Sequence, residues 1–459
     1  DYMKKNDILK ALGIFCIIFI ALSWIIPTGY FSNGQYVKDA ISPIGIFDLV
    51  LYPIVLTTST IFALIFVSFL LIGAFYGVLN KTKAYPRFID NVSKKLKGNE
   101  TIFLIVVTIL FTALSSFTGL PMVLFVFVPM FAAILLSIGY NKMTTMLATV
   151  GGILVGNMAS TYGVGVAGYI KYVTNDINSN ILFRIIVLII STIILVVFTL
   201  LSSKNKDSNK EIMLYKKTTK KINTMPLIIL LVLLFIILFI GMFDWSNILG
   251  IELFNNIHKS ITGYKISGYP IFDNLIGSVS ALGSWSYYEL NLTLIIMSLI
   301  IGLIYKLKFS EMIEGAIEGI KEIFPVALIA LAANIILLLG NINQNNYTFY
   351  NTIVNQILGG KFSIIPFSFA TTIGSLLYND FSYLLNSLYG AISNMKDHFA
   401  TIGIIMQTIH GFIQLFAPTS VFLIAGLTYF KIPYTKWLKE ICKLLVCFLI
   451  LIIILLIFV

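Results

Sequence analysis

The chain has 459 residues, 58% of them hydrophobic and only 11% charged, with a formal net charge of +11 and a mean hydropathy of +0.95. That composition excludes an ordinary soluble domain, and apolar runs near the roughly 20-residue length of a bilayer span recur throughout, as in a polytopic α-helical membrane protein. The positive charge falls between the apolar runs, as cytoplasmic loops require, so no nucleic-acid partner is expected.

In chain order, the apolar runs place spans at 8–27, 54–80, 142–170, 181–203, 225–243, 287–305, 323–340, 399–430 and 437–459, with two hairpins at 100–140 and 362–396. The first run, Ile8–Pro27, follows Lys4 and Lys5 like a signal peptide. It lacks a small-residue cleavage site and reads as a retained helix. The segment 81–97 carries Lys81, Lys83, Arg87, Lys94, Lys95 and Lys97, and 204–221 carries seven lysines, so both belong in the cytoplasm. The stretches 28–52, 244–286 and 341–361 are poor in positive charge and belong outside. The expected location is the cytoplasmic membrane, with the N-terminus on its inner side and the C-terminus outside. Cys16, Cys442 and Cys447 all lie in apolar segments, with neither a disulfide nor a metal-ligand spacing.

Each hairpin is followed by an apolar stretch with a polar break: Gly156-Asn157-Met158-Ala159-Ser160-Thr161 in one half and Ala417-Pro418-Thr419-Ser420 in the other. Lipid offers no hydrogen bonds, so non-helical backbone at that depth must be buried in protein or line a cavity. A hairpin and a broken helix in both halves is the sequence sign of a transporter with inverted repeats. Two landmarks recur as well. Pro53 and Pro325 each open a span after an amphipathic piece, and Gly98 and Gly360 each close an amphipathic helix before a hairpin. The expected fold is an all-α polytopic membrane protein of two inverted repeats, each with a re-entrant hairpin and a discontinuous helix. The repeats occupy 1–203 and 287–459. A basic linker, a connecting span and an external loop fill 204–286, and the lone span inverts the second unit.

The tips and breaks supply the candidate site. Ser115, Ser116, Thr118 and Gly119 form the first tip, facing Asn157, Ser160 and Thr161. Thr371, Thr372 and Gly374 form the second, facing Thr419 and Ser420. Half-helix N-termini favour anions, while freed carbonyls and hydroxyls coordinate sodium. A coupling sodium ion is therefore expected at Ser116 and Asn157 and at Thr372 and Thr419, with a proton as the alternative. A single Ser or Thr in a membrane helix more often bonds its own backbone, so the clusters carry the argument. Asn379 and Asp380 lie just beyond the second tip. A carboxylate near mid-membrane costs roughly 2.5–3.5 kcal/mol on insertion scales, so Asp380 needs a partner or a task unless it sits at a surface turn. His410, ahead of the second break, either meets substrate or packs as a bonded histidine. Glu311, Glu314, Glu318 and Glu322 share one wet helical face. Arg184 is expected to snorkel from the outer end of its span, leaving no Arg or Lys near either tip.

At this point the chain resembles the YfcC-like, C4-dicarboxylate anaerobic carrier family of the ion transporter superfamily. The likeness is carried by SWIIPTGYF (23–31), PIGIFDLVLYP (43–53), GAFYGVLNKTKAY (73–85), EGAIEGIKEIFPVALIALA (314–332), APTS (417–420) and IPYTKWLK (432–439). The resemblance implies an elevator-type fold, a scaffold plus a transport domain built from the hairpins and broken helices, and a homodimer. It implies a secondary carrier of carboxylates or amino acids, driven by an ion gradient or by exchange. The chain departs from the family pattern at Pro121-Met122, at Thr371–Ser375 and at His410, all within the presumed site.

The function expected is therefore secondary active transport of a small amino acid or carboxylate by alternating access, with an arginine/ornithine-type antiporter as the alternative. A channel would need a polar pore stripe or filter, and neither is present in the sequence. An intramembrane enzyme would need a catalytic pair, and Asp380 and His410 lack a supporting motif. The protein is not expected to be an enzyme or to hold a cofactor beyond the coupling ion.

Overall fold

In the computed structural model, residues 7–58, 60–163, 165, 176–204, 211–340 and 348–458 are described. Parts of the expected span 142–170, of the lysine-rich 204–221 and of 341–361 lie outside them. Among the described residues, eight helices are long and apolar enough to cross a membrane, and the chain is an all-α polytopic membrane protein with one small β-hairpin.

Helix α1 (Asp7–Ile25) leads into the hairpin of β1 (Gly29–Ser32) and β2 (Gln35–Lys38), paired antiparallel with Gly29 opposite Lys38. Helices α2 (Asp48–Thr58) and α3 (Thr60–Thr82) follow, then the amphipathic α4 (Ala84–Lys95). The first hairpin is α5 (Glu100–Thr118) and α6 (Pro121–Ser137). Its turn is written in the sequence. Gly119 takes φ +62° to cap α5, where a side chain would be strained, and Pro121 stands at the first position of α6. The first broken helix runs through α7 (Lys142–Met146), a π-turn (Leu147–Gly151) and α8 (Gly152–Met158). Helices α9 (Ile181–Ser202) and α10 (Met225–Met242) then cross, and three short helices follow: α11 (Trp245–Leu249), α12 (Leu253–Thr262) and α13 (Ile271–Ile276).

The order of elements then recurs. After α14 (Tyr287–Ile304) come a long helix α15 (Phe309–Ala333), α16 (Ile335–Gly340) and the short α17 (Phe349–Leu358). The second hairpin is α18 (Ile364–Leu377) and α19 (Phe381–Ile392). The second broken helix is α20 (Phe399–Gln414) and α21 (Val421–Tyr429), closed by α22 (Tyr434–Phe458).

Two expectations about prolines are corrected here. Pro325 does not open a span, because α15 continues through it from Phe309 to Ala333. Pro53 lies inside α2, and the span proper starts at Thr60. A proline inside a membrane helix is tolerated when neighbouring helices and small local adjustments satisfy the freed carbonyl.

The centre of the fold is the crossing of α3 and α15. A Cβ on Gly77 would collide with the Gly315 carbonyl, and one on Gly319 with the Gly73 carbonyl. Small residues four apart on both helices thus bring the backbones into contact, where dispersion and close packing replace a hydrophobic drive. One end of this crossing is tied by charge. Lys81 pairs with Glu314 at 3.1 Å and with Glu318 at 2.9 Å, and Lys216 reaches Glu318 at 2.5 Å. Glu322 accepts from the Leu214 N–H at 2.7 Å. Three of the four glutamates thus anchor basic or backbone groups of the lysine-rich segments. The outward sides of α10 and α22 present Ile229, Val232, Ile236, Leu449 and Ile453 as exposed apolar surface, suited to lipid.

Candidate functional site

Both hairpin tips and both breaks meet at one cavity of about 340 Å³. Its wall includes Gly119, Asn157 and Ser160 from the first half and Asn379, Asp380, His410 and Ser420 from the second. Tyr287 of α14 and Asn334, which follows α15, complete the polar lining together with Gln407 and Gln414. A larger cavity, of about 990 Å³, lies among Asp90, Lys94, Glu211, Glu322 and Lys431. It touches neither tip, and Asp90 and Glu211 in its lining pair locally. Lys94 bonds Asp90 at 2.8 Å and holds its carboxyl below the usual range, and Lys431 does the same to Glu211 at 2.6 Å. The smaller cavity is the candidate site.

The remaining expected residues stand behind its wall. Ser115 donates to the Ile153 carbonyl at 2.6 Å and to Asn157 Oδ1 at 2.9 Å. Ser116 donates to the Ala159 carbonyl at 2.6 Å, and its own carbonyl accepts from the Thr161 N–H at 3.0 Å. Thr118 bonds back to the Leu114 carbonyl at 2.8 Å. The two serine hydroxyls hold the first tip against the first break, and Asn157 and Ser160 line the cavity.

The second tip is displaced from its expected place. Thr371, Thr372 and Gly374 lie inside α18, and the turn falls at Tyr378–Asp380. Thr372 donates to the Ser368 carbonyl at 2.9 Å, while the buried Thr371 hydroxyl has no partner among the described residues. What ends the hairpin is Asp380, whose Oδ1 accepts from the Ser382 N–H at 2.8 Å as the N-cap of α19. Asn379 bridges to Asn334 Oδ1 at 3.2 Å and to the Thr419 carbonyl at 3.0 Å. Thr419 donates to the Leu376 carbonyl at 3.2 Å, and Ser420 opens α21. The four residues expected to hold sodium therefore divide into Ser116 with Asn157 and Thr372 with Thr419; Ser116, Thr372 and Thr419 each donate to a backbone carbonyl, while Asn157 accepts from Ser115.

His410 is buried in the wall with Phe381 edge-on at 5.8 Å, and its Nδ1 has no partner among the described residues. Three residues further back, Gln407 donates to the Ser160 carbonyl at 2.7 Å and to that of Met158 at 3.4 Å, and its Oε1 is left over. Gln407, His410 and Gln414 share one face of α20, a spacing of three and four that the sequence displays openly.

Arg184 overturns its expectation. It does not snorkel: it is buried, and donates to the carbonyls of Thr161, Ile177 (2.7 Å) and Ser179 (3.0 Å). A basic side chain therefore does stand at the first break, one residue behind the cavity wall. The freed carbonyls there offer it more than the membrane surface could.

The sequence model of the C4-dicarboxylate anaerobic carriers (DcuC) matches residues 6–459. The chain belongs to this family. Among curated proteins, none matches the carrier. A solved structure, the YdaH transporter of Alcanivorax borkumensis, which has an unusual topology, is similar at 9% identity and a TM-score of 0.42. The alignment covers 97% of the carrier and 96% of that chain.

Proposed function

We propose that this carrier moves an amino acid with a protonated amine across the cytoplasmic membrane, and that Asp380 receives the amine. One observation carries this reading: Asp380 is the only charged side chain lining the cavity among the described residues. A carboxylate of the cargo placed ~4 Å from an ionised Asp380 would be repelled by about 4 kcal/mol at an effective dielectric of 20, and an ammonium attracted by as much. Neutral donors and acceptors on Asn157, Ser160, Asn379 and Gln407 suit the remainder of an α-amino acid.

The recurring order of elements supports two repeats, 1–203 and 287–459, related by inversion and joined by 204–286. Lys-rich segments at 81–97 and 204–221 support an N-terminus inside. Hairpins and broken helices moving as one body against α3 and α15 would give elevator-type alternating access, with a homodimer holding the scaffold still. Coupling by sodium, by protons or by exchange with a second amino acid all fit such a cycle.

The second reading is a C4-dicarboxylate cargo, favoured by the family. It requires that Asp380 be protonated or neutralised by a cation when the dianion binds. Uptake of labelled arginine and of labelled succinate into proteoliposomes separates the two. Arginine accumulation, driven by an ion gradient or by internal ornithine, supports the amino-acid reading. Succinate uptake without arginine uptake replaces it with the second.

A further inference from the structure

Four consecutive carbonyls at the first break are already in use. Met158 and Ser160 accept from Gln407, Ala159 from Ser116, and Thr161 from Arg184. Among the described residues the Arg184 guanidinium forms no ion pair, and its Nε has no hydrogen-bond partner. Asp176 acts on the guanidinium through space without forming an ion pair, and the groups in direct contact are the carbonyl dipoles, helped by the negative C-terminal end of α8.

The second half fills the same place differently. Helix α22 starts at Tyr434 as α9 starts at Ile181, which sets Trp437 where the first half has Arg184. Trp437 Nε1 donates to the Leu415 carbonyl at 3.0 Å, and the Tyr434 hydroxyl donates to that of Phe416. Among the described residues, neutral donors close this break, and no cation is brought to its carbonyls.

We propose that Arg184 is the resident cation of the first break, a positioning residue that supplies there the charge a bound sodium ion would supply. An alkali ion that couples to transport then has one place to bind, in the second half. This inference rests on the chain being a carrier and not on which cargo it takes.

Two measurements test it. Sodium-22 binding to the purified, cargo-free protein is expected to saturate at no more than one ion per chain; saturation at two would overturn the proposal. In proteoliposomes, with labelled arginine and labelled succinate as probes, Arg184→Lys is expected to keep transport within about threefold of the wild type. Arg184→Gln, which can still donate but carries no charge, is expected to lower it about tenfold, mainly through the maximal rate. Equal transport by Arg184→Gln and the wild type would overturn the proposal, as would equal loss in both variants, which would assign the side chain a role of shape alone. If neither probe is carried, the cargo reading fails and the sodium count still decides this one.

Discussion

The two hairpin-and-break units share an order of elements but are fastened differently. In the first, hydroxyls of α5 reach across to the broken helix, with bonds of 2.6 Å from Ser115 to Ile153 and from Ser116 to Ala159. A Cβ on Gly156 would strike the Thr112 carbonyl, so the two helices touch backbone to backbone. In the second, Thr372 and Ser375 bond back to their own helix, at 2.9 and 2.7 Å. The links across are longer, 3.0 Å from Asn379 to Thr419, 3.2 Å from Gln414 to Ser375 and 3.2 Å from Thr419 to Leu376. The first hairpin is fastened to its break by serine hydroxyls, and the second, which carries Asp380, by the Asn379 and Gln414 amides and the Thr419 hydroxyl.

The largest effect expected from this contrast is at the carboxylate. Asp380→Asn should lower amino-acid uptake by about 100-fold, the loss usual when one partner of a desolvated charge pair is truncated, while the protein stays monodisperse. Uptake that survives the change would leave the second hairpin without its assigned task. Next come the glycines. Gly156→Ala should destabilise by about 1–3 kcal/mol because the Thr112 carbonyl cannot move aside. Gly374→Ala should cost less, since it meets the Tyr350 hydroxyl and Leu384 Cδ1, which are ends of side chains. Thermal unfolding in detergent orders the two, and the reverse order would dissolve the contrast.

Hydroxyl removal sharpens the same point. Ser116→Ala strands the buried Ala159 carbonyl and should cost about 1–3 kcal/mol, whereas Thr372→Val gives up only a bond within α18 and should cost less than about 1 kcal/mol. The smallest effect belongs to the exposed Lys431–Glu211 pair, where Glu211→Gln should cost below about 1 kcal/mol. Lys431 holds the Glu211 carboxyl below its ordinary value. Its contribution is therefore present above the unfolded carboxyl pKa of about 4 and fades as pH falls through the lower folded value. Melting curves of wild type and Glu211→Gln should differ slightly at neutral pH and converge in acid.

The sequence showed most where backbone chemistry is strict. Gly119 marked the first tip because a left-handed cap leaves little alternative, and the structure adds Pro121 at the first position of α6. The second tip was misplaced by about one turn. Thr371, Thr372 and Gly374 are as comfortable inside a membrane helix as at its end, and the true signal was Asp380 as an N-cap. Pro325 misled for a related reason: in a packed helix a missing donor need not end the helix. Arg184 was read from its position in a span, yet its place was decided by the three carbonyls it could reach, which no local pattern reveals. The Gln407, His410 and Gln414 face and the glycine pairs of α3 and α15 were both visible as spacings and needed only to be weighed.

The most direct test of the central claim is transport of labelled arginine and succinate, side by side, by wild type and Asp380→Asn in proteoliposomes. The account expects the wild type to carry the amino acid and the variant to lose it. Succinate transport with arginine excluded, undiminished in the variant, would contradict it.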